Sequence, residues 1–307
     1  MRYIFIINPT AGAIDITEKA KEIVNNFFEN RNELHYKIYV TSYRGETIDI
    51  VKKEAFSGEK LRVFGFGGDG TLSELVSAAK IYKNVEIGIF PTGSGNDYIK
   101  SYGTHSDFIN FENQVFGDSI EVDTIESNEG TFINICSMGL DAKVGYGMNK
   151  FKGKPFINGA MCYNLALASA LLQKIGDNVS VKIHSKDGIK EYKDNFLFIL
   201  AASGKAYGGG YYGAPKAVTN DGLLDFVLIK TPPYRKLLSL INVYKKGEHI
   251  ENSKFKDYLI YCTGTKIEVE TEKAIFCSCD GECTQTTNNT FKIGEYKVNF
   301  ILPKNLV

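Results

Sequence analysis

The chain has 307 residues and no net charge, with 36 Lys plus Arg against 36 Asp plus Glu. That balance argues against a dedicated nucleic-acid binder, which carries a strong basic excess. Hydrophobic residues at 43% and charged residues at 23% describe a globular protein rather than a long disordered one. At about 150 residues per domain, the length predicts two domains, each able to bury a core.

The first apolar run, at residues 2–7, stops at Asn8-Pro9, too short for a secretory leader. Without a leader, Cys136, Cys162, Cys262, Cys277, Cys279 and Cys283 are expected to be reduced thiols of a cytoplasmic protein. Strand patterns at 2–7, 34–40, 61–66 and 85–90 alternate with helical ones at 16–30, 47–56 and 72–81. Such alternation predicts a doubly wound α/β domain around a parallel sheet, which binds ligands at the carboxyl ends of its strands. The segments after Ile7, Val40, Phe66 and Phe90 are therefore the informative ones.

From about residue 120 the pattern changes to short β-rich runs at 120–126, 131–136, 179–184, 195–202, 224–229, 266–270, 274–279 and 296–302. They predict an antiparallel β-sandwich or barrel, interrupted by one helix at 158–174. The uncharged stretch 155–173 is broken by Asn158, Gly159, Asn164, Ser169 and Gln173, which favours a buried or interfacial helix over a membrane span. The boundary is expected near Glu121, giving domains at 1–121 and 122–307, with the last strand able to return to the first domain.

Three loops carry the chemistry. Asn8-Pro9-Thr10-Ala11-Gly12 is a turn of small residues whose N–H groups can approach a phosphate. Gly65-Phe66-Gly67-Gly68-Asp69-Gly70-Thr71 satisfies G-x-G-x-x-G between a strand and a helix. A dinucleotide site would place an acid at the close of the next strand, where Phe90-Pro91 stand instead. Asp69 would repel a phosphate unless a divalent cation came between them. Pro91-Thr92-Gly93-Ser94-Gly95-Asn96-Asp97 is a second small-residue loop ending in an acid, so Asp69 and Asp97 are expected on one rim of the sheet, able to share a hydrated cation. Taken singly, each loop also reads as an ordinary capped turn. Neither a Walker A loop nor a protein-kinase catalytic loop is present.

In order and spacing these loops resemble the diacylglycerol kinase catalytic family, which shares its fold more distantly with NAD kinases and phosphofructokinases. Gly139-Leu140-Asp141-Ala142, Asp221-Gly222-Leu223-Leu224-Asp225 and Asp280-Gly281-Glu282 extend the match. The resemblance implies an ATP- and Mg²⁺-dependent lipid kinase, working between an α/β and a β-sandwich domain and converting diacylglycerol to phosphatidic acid. It places ATP against Asn8, Pro9, Thr10, Ala11 and Gly12, against Gly67, Gly68, Asp69, Gly70, Thr71 and Glu74, and beside Thr41, Ser94 and Asn96. It assigns a structural Mg²⁺ to Asp221 with the carbonyls of Val218 and Leu223. It assigns the proton acceptor to Glu282, with Asp280 close by, while Asp69 and Asp97 hold Mg²⁺ through water. Readings left open are a kinase for a sphingoid lipid or NAD, a dinucleotide-dependent oxidoreductase, and a silent nucleotide-binding module.

Cys277, Cys279 and Cys283 invite a zinc reading, but His184 and His249 are distant in sequence and no fourth ligand lies near. These cysteines flank the presumed base and are expected to make activity sensitive to thiol oxidation. For the acceptor, two apolar regions stand out: residues 158–174, with Ala160, Tyr163, Leu167 and Leu171 at helical spacing, and the Tyr- and Gly-rich stretch 207–212. Both also read as a core helix and a plain Gly-rich loop. Lys143, Lys150, Lys152 and Lys154, and the basic stretch 235–246, suit transient contact with anionic headgroups at the inner membrane face. A homodimer is left open.

Overall fold

The computed structural model describes residues 1–148 and 159–306, which form two compact units, 1–122 with 296–307, and 123–295. In the first unit β1 (Arg2–Ile7), β2 (His35–Val40), β3 (Leu61–Gly67), β4 (Val85–Pro91) and β5 (Asp118–Val122) are joined by the last strand of the chain, β15 (Val298–Leu302). The order is β2-β1-β3-β4-β15-β5, with every pairing parallel except that of β15 with the edge strand β5. β1, β3 and β4 are nearly continuous apolar runs because helices cover the sheet. Helix α1 (Thr17–Phe28) buries Ala20, Val24 and Phe28, α2 (Glu46–Ala55) buries Ile50, Val51 and Ala55, and α3 (Asp69–Ala79) buries Leu72, Leu75 and Val76. Two short helices, α4 (His105–Phe108) and α5 (Phe111–Val115), follow β4.

An aromatic stack fixes the height of the strand ends. Phe66 and Phe90 stack with centroids 4.5 Å apart, and Phe90 stacks on Phe111 at 5.1 Å. Ile7 pairs with Phe66 and Gly67 with Pro91, so the loops after β1, β3 and β4 leave the sheet side by side.

A buried carboxylate pins α2 to the sheet. Glu54 receives Arg2 at 2.8 Å, Lys37 at 3.0 Å and the Tyr39 hydroxyl. Burial opposes its charge, but these three donors outweigh burial and hold the carboxyl below its ordinary value of 4.5. Its contribution is therefore complete above that value and is lost as the pH falls through the lower one. We expect Glu54→Gln to destabilise the protein by about 2 kcal/mol at neutral pH, with the gap closing in acid, measured by urea unfolding.

Among the described residues the second unit is a nine-stranded antiparallel system with three α-helices. Its strands are β6 (Ile125–Ser127), β7 (Gly130–Phe132), β8 (Ile135–Gly139), β9 (Asp177–Ser185), β10 (Gly188–Ala202), β11 (Leu224–Lys230), β12 (Leu259–Gly264), β13 (Lys266–Cys279) and β14 (Glu282–Ile293). The long strands β10 and β13 share two partners: β9 pairs with one end of each and β8 with the other. One core lies among the strands, around Phe196, Phe226, Ile267 and Phe291. A second lies under α6 (Leu140–Met148), α7 (Gly159–Leu171) and α8 (Tyr234–Lys245), around Leu197, Leu200, Val227 and Phe255.

Several elements differ from the sequence reading. The runs at 266–270 and 274–279 are one strand, interrupted by a register shift between Glu270 and Ile275. Helix α3 starts at Asp69, three residues before its apolar period begins. The helix read at 158–174 is described over Gly159–Leu171; Asn158, Lys150, Lys152 and Lys154, together with the Ala160 side chain, lie outside the described residues. Among the described residues no helix is long and apolar enough to cross a membrane.

Candidate active site

In the first unit the three small-residue loops are pressed together by glycine. A Cβ on Gly93 would stand 2.5 Å from the Cα of Gly68, and one on Gly12 would stand 2.3 Å from the Thr92 carbonyl oxygen. Asn8 ties the first loop to the second: its side-chain amide donates to the Thr71 hydroxyl at 3.1 Å, and its Oδ1 accepts the Thr10 N–H at 3.0 Å. Ala11 N–H closes the Asn8–Ala11 turn on the Asn8 carbonyl. Thr92 N–H donates to the Gly67 carbonyl at 2.8 Å, joining the third loop to the second. Asn96, with φ +49°, folds its amide back onto Gly93 in both directions. Thr41 N–H caps the Ile7 carbonyl, and Glu74 accepts the Gly45 N–H at 2.9 Å. Ser94 and Gly70 are exposed. The predicted contact residues of this unit thus share one sheet edge.

This edge suits an anion. The N-cap of α3, Gly68, has no side-chain capping bond, so the first amides of that helix retain unsatisfied donor capacity. The Thr92 hydroxyl is buried without a hydrogen-bond partner. A small recess of about 10 Å³ lies against Gly68, Asp69 and Asn96, floored by Leu72, Ile89 and Ile99.

Two carboxylates converge there. Asp69 Oδ1 accepts the Asp97 N–H at 2.7 Å, and a Cβ on Gly95 would lie 2.6 Å from Asp69 Oδ2 and 3.3 Å from Asp97 Oδ2. Burial first, and the Asp97 charge second, push the Asp69 carboxyl up to about 6, against the amides of Asp97 and Asn96 and the Lys100 ammonium. Asp97 is already paired with Lys100 at 2.5 Å. Asp69 is thus a carboxylate short of positive charge, beside donors short of negative charge. That combination fits a divalent cation carrying a phosphate.

In the second unit Asp280 and Gly281 form the two-residue turn between β13 and β14, with φ +47° and +90°, the left-handed pair of a tight hairpin. The Asp280 carboxylate accepts three backbone amides, from Ile133 at 2.8 Å, Asn134 at 3.1 Å and Ile135 at 2.9 Å. It therefore fastens the hairpin to the start of β8. Glu282, the next acid, is exposed at the first position of β14. We expect Asp280→Ala to free the amides of Ile133 and Ile135, measured as faster hydrogen exchange there, and to cost about 2–3 kcal/mol of stability.

Beside this hairpin an apolar cavity of about 50 Å³ runs between β10 and helices α6, α7 and α8. Its walls are Leu167, Leu171, Phe198, Leu237, Leu240 and Tyr244, and one acid, Asp141, enters it. Asp141 Oδ1 accepts the Ala142 N–H at 2.8 Å, while the buried Oδ2 has no hydrogen-bond partner. Burial raises this carboxyl to about 7, although the nearby hydroxyls of Ser137 and Tyr207 favour the charge. Cys283 links cavity and hairpin: its sulfur is 3.9 Å from the Ala142 carbonyl, and both Asp141 and Glu282 add to the upward shift that burial gives its thiol. Asp141 stands in the Gly139–Ala142 motif noted above, yet nothing in the sequence marked it as the polar end of a cavity.

The turn carrying Asp221 lies just before β11. Asp221 accepts the Leu223 N–H at 3.0 Å, and Gly222 N–H donates to Asp123 at 2.7 Å. Asp225 follows, its carboxyl raised to about 6 by burial and, against the Tyr261 hydroxyl, by Asp221. Val218 is exposed. Among the described residues no group of three His, Cys, Asp or Glu side chains is gathered to hold a metal, so any ion at this turn would depend on main-chain carbonyls. Cys277 and Cys279 are buried beside Cys136, the cross-strand partner of Cys279; burial takes Cys136 up to about 11, so that thiol stays protonated at neutral pH.

Comparison with known proteins agrees over both units. Residues 2–127 match the diacylglycerol kinase catalytic domain, and residues 134–302 match the YegS C-terminal NAD kinase beta sandwich-like domain. A diacylglycerol kinase of Bacillus subtilis is 23% identical over 97% of this chain and 95% of its own length. One from Staphylococcus carnosus is 26% identical over 90% and 87%. The crystal structure of a diacylglycerol kinase from Bacillus anthracis superposes with a TM-score of 0.69 at 20% identity, covering 100% of this chain and 98% of that one. With its α/β unit matching the catalytic domain and its β-rich unit matching the sandwich domain, the chain belongs to the diacylglycerol kinase family of lipid kinases.

Proposed function

We propose that the protein transfers the γ-phosphate of ATP to the hydroxyl of a membrane lipid, diacylglycerol being the acceptor that its relatives' names suggest. The observation that carries this reading is the convergence of Asp69 and Asp97 inside loops whose amides and glycines suit a phosphate chain. Asn8, Pro9, Thr10, Ala11 and Gly12 bound the nucleotide on one side, with Gly67, Gly68, Gly70 and Thr71 on the other. Thr41, Glu74, Ser94 and Asn96 complete its surroundings. Asp69 would hold Mg²⁺ through water; Asp97, paired with Lys100, orients the Asp69 carboxylate through its own N–H. When bound, the metal neutralises charge on the transferring phosphates.

In the second unit Glu282 takes the proton from the attacking hydroxyl, and Asp280 positions it by fastening the hairpin. The cavity ending at Asp141 receives the acyl part of the acceptor, whose hydroxylated end then lies near the Cys283–Glu282 segment. Asp221, with the Val218 and Leu223 carbonyls, would hold a second, structural Mg²⁺, whose charge would tie the turn before β11. The protein meets its substrate from the cytoplasm at the inner membrane face. To test the reading, γ-labelled ATP and Mg²⁺ are incubated with a panel of lipids and NAD. We expect the label in the organic extract; label confined to the aqueous NAD fraction, or none transferred, contradicts it.

A further inference from the structure

The apolar cavity of the second unit contains an acid to which the phosphoryl transfer above gives no task. Among the described residues that line it, Asp141 is the one charged side chain, and it is only 8% exposed. A carboxylate buried in such a wall is costly unless its oxygens are hydrogen-bonded. Oδ1 accepts the Ala142 N–H at 2.8 Å, whereas the buried Oδ2 has no hydrogen-bond partner among the described residues. One acceptor is thus left open at the cavity wall. An asparagine could accept the same N–H without burying a charge, so the fold alone gives no reason for an acid here.

The surroundings mark Asp141 as an acceptor of hydrogen bonds. The hydroxyls of Ser137 and Tyr207 favour its charged form, against the burial that raises the carboxyl. The Tyr207 hydroxyl lies 3.0 Å from that of Tyr244, and both tyrosines line the cavity. An ionised carboxyl has about four lone-pair sites and no proton to donate. Diacylglycerol has nothing to offer it: the two esters present acceptor oxygens only, and the single hydroxyl is the one that Glu282 deprotonates. Filling the cavity with that lipid would leave Oδ2 buried and unpaired. A second O–H or N–H on the same headgroup would satisfy it. The two acids are placed to address one headgroup, since both add to the upward shift of the Cys283 thiol, whose sulfur is 3.9 Å from the Ala142 carbonyl.

We propose that Asp141 determines acceptor specificity by taking a hydrogen bond from a second donor on the lipid headgroup, so that a lipid with a hydroxyl or amine beside the attacked hydroxyl is preferred to diacylglycerol. The proposal rests on the lipid-kinase reading above and alters only the acceptor suggested by the relatives' names. A site built around a hydrogen bond to the substrate discriminates against the analogue that lacks the donor, because its own buried group is then left unpaired.

The test measures kcat/KM of the full chain for four water-dispersed acceptors. Dioctanoylglycerol and ethylene glycol monooctanoate have one hydroxyl and no other donor. Monooctanoylglycerol adds a neighbouring hydroxyl, and a single-chain vicinal amino alcohol adds an amine. We expect the wild type to favour at least one of the latter pair over both of the former by about tenfold or more, the worth of a hydrogen bond to a charged group. Whichever of the pair leads distinguishes hydroxyl from amine. In Asp141→Asn the amide oxygen keeps the Ala142 bond and the amide N–H₂ replaces Oδ2, so the same ratio is expected to fall to about one or below. A ratio taken within one protein is insensitive to any general loss of active molecules. Wild-type preference for the one-donor acceptors overturns the proposal whatever the variant does, and so does a two-donor preference that persists unchanged in Asp141→Asn. Failure of the kinase reading shows differently, as no label in any of the four lipids, and the proposal falls with it.

Discussion

Asp69→Asn is expected to lower lipid phosphorylation by about a thousandfold while leaving the protein folded. The asparagine keeps the oxygen that accepts the Asp97 N–H, so the loop retains its shape, but the negative charge that attracts the cation is gone. The same change should make the unliganded protein more stable. A carboxyl raised to about 6 by burial and by the neighbouring Asp97 disfavours the fold when ionised, so removing that charge gains about 1 kcal/mol at neutral pH. Stability and activity thus move in opposite directions, which a merely structural role would not produce. The pH profile has a definite sign: in the free enzyme kcat/KM should fall as the pH drops through about 6, as Asp69 gains a proton and loses its affinity for a cation. Thermal unfolding and a pH–rate profile of the two proteins check both statements.

Glu282→Gln is expected to reduce kcat by about a hundredfold to ten-thousandfold, with nucleotide affinity unchanged. Glu282 lies at the mouth of the β13–β14 hairpin, and the three amide bonds by which Asp280 holds the turn are retained in the variant. A variant that bound nucleotide normally and turned over normally would move the proton acceptor elsewhere. Asp141, whose buried oxygen faces the cavity, would be the next residue to examine.

The α/β half was legible because each of its apolar strands ends in a loop of small residues, and parallel neighbours must release such loops at one edge. Register then does what sequence alone cannot show, setting Gly67 against Pro91 and bringing Asp97 N–H onto Asp69. The Lys100 partner of Asp97 has no such signal, since the short 3-10 turn over Tyr98–Ser101 that folds its ammonium back onto Asp97 is not marked by any periodicity. In the second half, the polar run Glu282–Ile293 carries no strand signal because its alternation is weak: residues such as Thr284, Gln285, Thr287 and Asn288 face solvent. Helix α8 reads in the sequence as a basic cluster, although Leu237, Leu240 and Tyr244 hold its buried face. Asp280 was read as one of two acids in a turn. Its three amide partners come from the segment entering β8, about 145 residues earlier in the chain, a contact no local pattern encodes.

The central claim is that Asp69 tethers a hydrated divalent cation against a nucleotide triphosphate. Its most direct test is calorimetric titration of a non-hydrolysable ATP analogue, with and without Mg²⁺, into the wild-type protein and Asp69→Asn. The account predicts that Mg²⁺ tightens binding to the wild type and that this tightening vanishes in the variant. Equal Mg²⁺ dependence in the two proteins would contradict it.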